Sequence, residues 1–307
     1  MPGVITIPNK REPSISVYMQ SPLNVLFVRC LPIQVSRLWC RFMGLLFFSM
    51  HRQHKQVIQN TAIQILKKQN ISLTRDSATK IITGITDHYH EKLVAAYHDI
   101  PNIDHFIHKH VAIKNEHLIS SALKLNKGLI LVTAHFGGVE LIPETLAFRD
   151  FPLALLIRFK TRKLKIFTQK RGAFFHTRII DAESDHVLGQ LIQVLKENRI
   201  LFTQCDEFKK WKPSRSKTIR FMGNEIQMDR TLDILHSRTA APVVLGLMVR
   251  HPNYTYTLNI HRIKTIPRDS ISQQCVSILE KYIYDYPEEW YQWKNFHQHL
   301  YGMPHEH

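Results

Sequence analysis

Short continuous apolar runs alternate with amphipathic stretches along the second half of the chain. The apolar runs are GLILVTA at 128–134, PLALLI at 152–157, RILFTQ at 199–204 and APVVLGLMV at 241–249. The clearest helical spacing between them is that of Val187, Leu188, Leu191, Ile192 and Leu195. Continuous apolar runs of this length are typical of strands buried on both faces, which need helices on each side of the sheet. The pattern therefore predicts an α/β fold with a mostly parallel central sheet covered by helices.

Two segments complete the C-terminal half. YTYTLNIHRI at 254–263 alternates between apolar and polar positions, which suits an antiparallel strand near a sheet edge. From about residue 270, apolar positions recur at helical spacing and predict a final helix. No linker rich in Pro, Gly or Ser divides the chain, so we expect 128–307 to form a single domain together with 31–127.

The first third of the chain is helical in character and is expected to extend the sheet domain at its N-terminal side. The segments 51–70, 74–98 and 113–126 each carry an apolar stripe at helical spacing, and Gly128 follows the last of them. Residues 1–30 are expected to form a polar, flexible N-terminus. The first twenty of them lack the apolar core of a secretory signal.

The segment 23–50 is long and apolar, but Arg29, Pro32, Arg37 and Arg41 interrupt it. A membrane-spanning helix needs about 20 uninterrupted apolar residues. We therefore predict that residues 31–50 form an interfacial helix that lies on a membrane with Arg37 and Arg41 among the lipid phosphates. A helix packed against its own domain would show the same amphipathic pattern.

Charge is the unusual part of the composition. The 307 residues include 41 Lys and Arg against 25 Asp and Glu, a formal net charge of +16. Such a surface attracts nucleic acid, anionic lipid or an acidic carrier. The run FKKWKPSRSK at 208–217, predicted to be a loop, could bind any of these or be solvated. The four cysteines, at 30, 40, 205 and 275, form no CxxC pair, so neither a disulfide framework nor a zinc site is expected.

The candidate chemistry lies where the run at 128–134 ends. His135 follows it directly, Gly137-Gly138 come next, and Glu140 stands five residues after the histidine. On one helix, five residues would place His135 and Glu140 about 140° apart, so they could not meet. With His135 at the carboxyl end of a strand and Glu140 in the first turn of the next helix, the carboxylate can fold back on the imidazole. Open α/β sheets bind ligands at this edge.

A carboxylate on a histidine fixes its tautomer and raises its basicity, so this pair predicts a general-base dyad. Backbone N–H groups of the following helix would face a developing oxyanion. The turn contains no Ser or Cys, so we expect the hydroxyl of the substrate to be the nucleophile, without a metal. With 19 histidines in the chain, an HxxxxE spacing also arises by chance, and the position after a buried strand is what favours the dyad.

Several segments, in this order along the chain, resemble the bacterial lipid A biosynthesis (lauroyl/myristoyl) acyltransferases, within the wider lysophospholipid and glycerolipid acyltransferases that share an HxxxxD/E motif. The matching residues are HFGGVE at 135–140, Arg158, Arg171-Gly172, Asp206, FMG at 221–223, TAAPVV at 239–244 and YPEEWYQW at 286–293. The resemblance extends from about residue 30 to the C-terminus. The chain departs from the family pattern at Gly138-Val139 (Asn-Trp in the family box), at Glu207 (Gln) and at Arg230-Thr231 (a glycine).

The resemblance implies roles for individual residues. His135 would be the general base and Glu140 its orienting carboxylate. Arg158 and Arg171 would meet phosphates of the donor or acceptor, although either could also be a solvated charge. The remaining members of the implied substrate site are Gly137, Gly223 and Asp206, the last of which would hold local structure or an arginine. Trp290 and Trp293 would pack a terminal helix without a chemical role.

The activity implied by the resemblance is transfer of a fatty acyl group from an acyl carrier protein or CoA thioester to a hydroxyl of an anionic glycolipid, lipid A-type acceptor or lysophospholipid. The thioester is a co-substrate, and no other cofactor is expected. The implied location is the cytoplasmic face of the bacterial inner membrane, as a peripheral or monotopic protein. The competing class is a non-catalytic basic module that binds anionic membranes or nucleic acid. That class fits the charge but leaves HFGGVE at a strand end unexplained, and no known nucleic-acid-binding motif is present.

Overall fold

A seven-stranded sheet forms the centre of the molecule in the computed structural model, which describes residues 14–159, 162–208, 212–264 and 270–301. Its strands are β1 (Val111–Lys114), β2 (Leu129–Thr133), β3 (Leu153–Ile157), β4 (Arg178–Asp181), β5 (Ile200–Gln204), β8 (Val243–Arg250) and β9 (Tyr256–Arg262). Their order is β1-β9-β8-β2-β5-β3-β4, and the five strands from β8 to β4 run parallel. The predicted α/β fold with a mostly parallel sheet is confirmed.

Thirteen helices are present in the described residues. They are α1 (Ile15–Met19), α2 (Pro22–Cys30), α3 (Ile33–Met50), α4 (Arg52–Lys68), α5 (Arg75–Tyr97), α6 (Ile100–His110), α7 (His117–Leu123), α8 (Ile142–Ala147), α9 (Arg162–Phe174), α10 (Val187–Lys196), α11 (Thr231–Thr239), α12 (Ile271–Asp285) and α13 (Trp293–Tyr301). Short 3₁₀ turns precede α8 at Val139–Leu141 and α13 at Pro287–Glu289. A separate antiparallel hairpin consists of β6 (Pro213–Phe221) and β7 (Asn224–Asp229).

Strand β2 shows why the apolar runs contain no alternation. Ile130 and Val132 pack into the core on one face of the sheet, whereas Leu129 and Leu131 pack into the core on the other. All five residues of the strand are buried, so both of its faces must be apolar. This central position fixes where the strand ends, and therefore where His135 lies.

At the β1 edge of the sheet, the prediction for 254–263 is confirmed, but one strand was not predicted. Strand β9 pairs antiparallel with β8, as expected from its alternating pattern. Strand β1 pairs parallel with β9 outside it and takes up the start of the segment that we expected to be helical over 113–126. The helix in that segment, α7, is limited to His117–Leu123.

The N-terminal and basic segments also depart from expectation. Within 1–30, predicted to be polar and flexible, α1 and α2 bury Met19 and Val28 in the core, while residues 1–13 lie outside the described residues. In the basic run at 208–217, residues 209–211 lie outside them too, and the part from Pro213 belongs to strand β6 rather than to a loop.

Helix α3 forms over nearly the predicted range. Its arginines, however, point toward α5 and not toward a membrane surface. Arg37 is buried, and its guanidinium donates to Asp87 of α5 at 3.0 and 2.7 Å. Arg41 donates to the same carboxylate at 2.8 Å through both Nε and Nη2. The expected place of these arginines among lipid phosphates is therefore wrong, because a buried carboxylate of α5 needs them as counter-charges. The solvent-facing side of α3 is apolar and includes Val35, Leu38, Phe42, Leu45 and Met50. None of the described helices is both long and apolar enough to cross a membrane.

Candidate active site

His135 lies two residues past the end of β2, as predicted. The chain then turns through Gly137, whose φ of +57° favours glycine, and passes into the 3₁₀ turn that contains Glu140. A Cβ atom on Gly137 would overlap the carbonyl oxygen of Met248. The backbone N–H groups of Gly137 and Gly138 donate to the carbonyls of Glu289 and Met248 at 2.9 and 3.1 Å. These two amides are thus used by the fold, so the substrate role expected for Gly137 is replaced by a structural one.

The carboxylate on the imidazole belongs to Asp206. Strands β2 and β5 pair in register with Thr133 opposite Gln204, so the residues two positions further on, His135 and Asp206, are brought side by side. Nδ1 of His135 lies 2.9 Å from Asp206 Oδ1, and the backbone N–H of His135 donates to both oxygens of that carboxylate at 3.1 and 2.9 Å. Asp206 is therefore bound to the histidine rather than to an arginine.

The charges around His135 decide which of its two ring nitrogens carries the proton. Burial disfavours the charge of Asp206, but its ion pair and hydrogen bonds with His135, together with the indole of Trp290, hold the pKa of the carboxyl below its usual value. An ionised carboxylate only accepts, so Nδ1 carries the proton and Nε2 has the free lone pair in the neutral ring. Burial lowers the pKa of His135, yet Asp206, with Glu207 and Glu140, outweighs it and raises that pKa above 6.5. The ring is thus a strengthened base, with Nε2 3.7 Å from Glu207 Oε1.

Glu140 does not occupy the position on the ring that we expected. Its Oε1 lies 3.6 Å from Lys92 Nζ and 3.7 Å from His88 Nε2, and both of these residues belong to α5. Asp206 already binds Nδ1, and the 3₁₀ turn directs Glu140 toward α5 instead. Glu140 still contributes to the field at His135 through its charge.

The C-terminal segment closes one side of the site. The indole N–H of Trp290 donates to Asp206 Oδ2 at 2.8 Å, and the backbone N–H of Tyr291 donates to the carbonyl of His135 at 3.2 Å. Phe136 and Trp290 form an isolated antiparallel bridge. Trp293 packs in the core as predicted, whereas Trp290 also orients the carboxylate, a role that the sequence interpretation missed.

A buried ionic network contacts the turn that follows His135. Arg250, at the end of β8, donates to both oxygens of Glu91 at 2.7 and 2.9 Å and to Glu289 at 2.7 Å. The same guanidinium donates to the carbonyl of Gly137 at 2.7 Å. Two buried carboxylates thus fix an arginine that also holds the turn after His135.

The two arginines predicted to bind phosphate, Arg158 and Arg171, lie in different parts of the structure. Arg158 follows β3, the strand beyond β5, and its Nε lies 3.7 Å from Glu183 Oε1 at the same edge of the sheet as Asp206. Arg171 donates to the backbone carbonyls of Ala95 and His98 at the end of α5, so the structure shows it in a helix-capping role instead of at a phosphate.

Gly223 lies in the two-residue turn of the β6–β7 hairpin, where Met222 and Gly223 both have positive φ. Its presence is explained by the turn geometry. Within the described ranges, no group of three or more His, Cys, Asp or Glu side chains is placed to hold a metal ion.

A strand-end histidine with a buried carboxylate on Nδ1, in a mostly parallel α/β sheet, is an arrangement that can act as a general base toward a hydroxyl or water. The sequence profile of the bacterial lipid A biosynthesis acyltransferases matches residues 22–300, and the chain belongs to that family. It is accordingly an acyltransferase that transfers groups other than amino-acyl groups. Curated proteins provide no significant match to the chain.

Proposed function

We propose that this protein transfers a fatty acyl group from an acyl carrier protein or CoA thioester to a hydroxyl of an anionic glycolipid, lipid A-type lipid or lysophospholipid. The hydrogen bond between His135 and Asp206 is the observation that carries the proposal. It leaves Nε2 of the ring as a base at the edge of the sheet where α/β proteins bind ligands.

The reaction follows from these groups. Nε2 of His135 removes the proton of the acceptor hydroxyl as its oxygen attacks the thioester carbonyl carbon, and Asp206 stabilises the imidazolium that forms. The tetrahedral oxyanion collapses, the C–S bond breaks, and the imidazolium returns the proton to the leaving thiolate. The products are the acylated lipid and the free thiol, and His135 is again neutral.

The location proposed for this reaction is the cytoplasmic face of the bacterial inner membrane. Support comes from an apolar surface on α2 and α3, which we call the N-terminal apolar face and define by Leu23, Leu26, Val35, Leu38, Phe42, Leu45 and Met50. Phe27 of α2 stacks on Trp39 of α3 at 4.2 Å, so the two helices present this face together. Exposed apolar area of this kind is typical of proteins that insert into the boundary between head groups and acyl chains.

In this scheme, cationic side chains at the same sheet edge as His135 and Asp206 would bind phosphate groups of the substrates. We propose that Arg158, which lies one strand beyond Asp206, contributes to binding a phosphate, since its contact with Glu183 is longer than a hydrogen bond. Arg171 is not included, because its donors are engaged by the end of α5.

The decisive experiment measures turnover and melting temperature on the same samples of wild type, His135→Ala and His135→Gln, with an acyl thioester and an acylated glucosamine disaccharide as substrates. Loss of the base should lower turnover about 10²–10⁴-fold in both variants. Gln can still donate to Asp206, so His135→Gln should remain as stable as wild type. His108→Ala is the matched control, because His108 is an exposed histidine that also contacts an aspartate, Asp104, at 2.9 Å. Near-normal turnover in folded His135→Gln would contradict the proposal.

A further inference from the structure

Glu140 forms a polar wall beside His135 together with His88 and Lys92 of α5. The acyl-transfer chemistry proposed above does not use this wall. Lys92 Nζ and Glu140 Oε1 are 3.6 Å apart, and the two side chains retain 30% and 28% of their exposure, so both charges reach solvent. An ion pair at this distance is longer than a charge-assisted hydrogen bond, which leaves donors of the ammonium available to another anion.

Lys92 supplies the only net positive charge in this wall within the described chain. His88 lies one helical turn before it, and burial, followed by the charges of Lys92 and His135, keeps the pKa of His88 well below 6.5. A neutral His88 leaves Lys92 as the partner of Glu140. Arg250, which also contacts the turn after His135, is neutralised by Glu91 and Glu289.

Two buried polar atoms beside this pair have no protein partner in the described part of the chain. They are Nδ1 of His88 and the hydroxyl of Tyr291. The two rings stack at 3.6 Å, and the charge of Glu140 acts on Tyr291. Buried polar groups in native proteins nearly always have a hydrogen-bonding partner, so these two atoms distinguish the interior behind Lys92 and Glu140 from the rest of the core. A ligand at the exposed side of this wall would offer a hydroxyl group to Glu140 and an anion to Lys92.

We propose that Lys92 and Glu140, backed by His88 and Tyr291, form the subsite for a phosphorylated sugar head group of the acceptor, in which Lys92 binds the phosphate and Glu140 accepts from a sugar hydroxyl. This inference rests on the proposed function. It assigns Glu140 to acceptor recognition, a task distinct from orienting His135, which Asp206 performs.

The test compares two acceptors that differ only in phosphate: a diphosphorylated acylated glucosamine disaccharide and the same lipid after phosphatase treatment. For Lys92→Gln, kcat/KM on the phosphorylated lipid should fall about 10- to 100-fold, the usual weight of one hydrogen bond between charged groups. The treated lipid should react as with wild type, and Lys92→Arg should keep part of the preference. Lys80→Gln is the matched control. Lys80 lies on the same helix, 12 residues before Lys92, and forms an exposed ion pair with Asp76. Equal losses on both lipids, or none on either, would overturn the subsite.

The phosphates of CoA are the other source of such an anion, so the donor is varied as well. The KM for acyl-CoA and for an acyl N-acetylcysteamine thioester, which has no phosphate, should be the same in Lys92→Gln as in wild type. A rise confined to acyl-CoA would assign Lys92 to the donor and overturn the proposal.

Binding to a non-reacting protein separates this inference from the proposed function. In the His135→Gln background, the phosphorylated lipid should bind more tightly than the treated one, and Lys92→Gln should abolish the difference. If wild type transfers acyl groups but Lys92→Gln does not change the phosphate preference, only the subsite fails. If wild type transfers to neither lipid and neither binds, the proposed function fails together with the subsite.

Discussion

Asp206 shows how much of the proposed chemistry depends on one side chain. Its carboxylate is fully buried and accepts hydrogen bonds from the ring and backbone of His135 and from the indole of Trp290. An anion in this position keeps the histidine in one tautomer and makes it a stronger base. Replacement of Asp206 should therefore change the chemistry of a residue that is itself untouched.

For Asp206→Asn we expect kcat to fall roughly 10²–10⁴-fold, because the amide has no charge to stabilise the imidazolium and its NH₂ group cannot accept where the second carboxylate oxygen does. The pH profile should move as well. The base works as the neutral ring, so activity falls as the pH drops through the pKa of His135, which Asp206 raises. Without that charge the pKa decreases, and the acid limb of kcat/KM should shift to lower pH.

The control for this prediction is Asp104→Asn, which removes the carboxylate from the surface histidine His108 and should leave the profile unchanged. An unchanged acid limb in Asp206→Asn would mean that another group controls the pH dependence.

The sequence predicted His135 but could not predict Asp206 as its partner. Both residues follow a buried apolar run by the same offset, which is a detectable signal in hindsight. The pairing itself depends on β5 lying beside β2, a strand order that no local pattern contains. Glu140 was assigned to the ring because it is near in sequence, whereas the contact that forms joins residues 71 positions apart.

At the scale of elements, α5 connects most parts of the site. One helix supplies Asp87 to the arginines of α3, Glu91 to Arg250, and Lys92 to Glu140. Its amphipathic pattern predicted the helix correctly, but the buried charges on it gave no indication of their partners. Strand β1 was missed for a related reason, because its four residues, VAIK, are too few to show a period before the helical pattern resumes.

The pair between α3 and α5 leads to a prediction about stability. Arg37→Met should destabilise the protein by about 3 kcal/mol or more, because it leaves the buried Asp87 with Arg41 alone. The change is measured as the free energy of unfolding in urea. Lys80→Met, which breaks an exposed pair on the same helix, should have little effect. A fully stable Arg37→Met would show that Arg41 alone neutralises Asp87.

At the scale of the whole molecule, a net charge of +16 accompanies the N-terminal apolar face. Charge draws the protein toward an anionic surface over about 10 Å at ordinary salt, whereas salt does not screen apolar insertion. Both contributions are expected in binding to a bilayer, and they can be separated experimentally.

We expect the wild-type protein to sediment with vesicles that contain anionic lipid and to be released only in part by high salt. The double substitution Leu38→Asp and Phe42→Asp should make release by salt nearly complete, because it removes apolar area from an exposed face and leaves the core intact. Leu125→Asp provides the control, as Leu125 is equally exposed but lies after α7, outside the N-terminal apolar face. Wild type that stays in the supernatant at low salt would disprove membrane binding.

The bridge between Phe136 and Trp290 also sets the time at which the protein can begin to work during its synthesis. Strands β2 and β5 are made early, but Gly137 and Asp206 acquire the last of their hydrogen-bond partners only from residues 289 and 290. A nascent chain that has not reached this point has its histidine without the completed support around it. We expect such a chain to be inactive, so the activity would start only after residue 290 has been translated, and a product that terminates before this residue would catalyse no transfer.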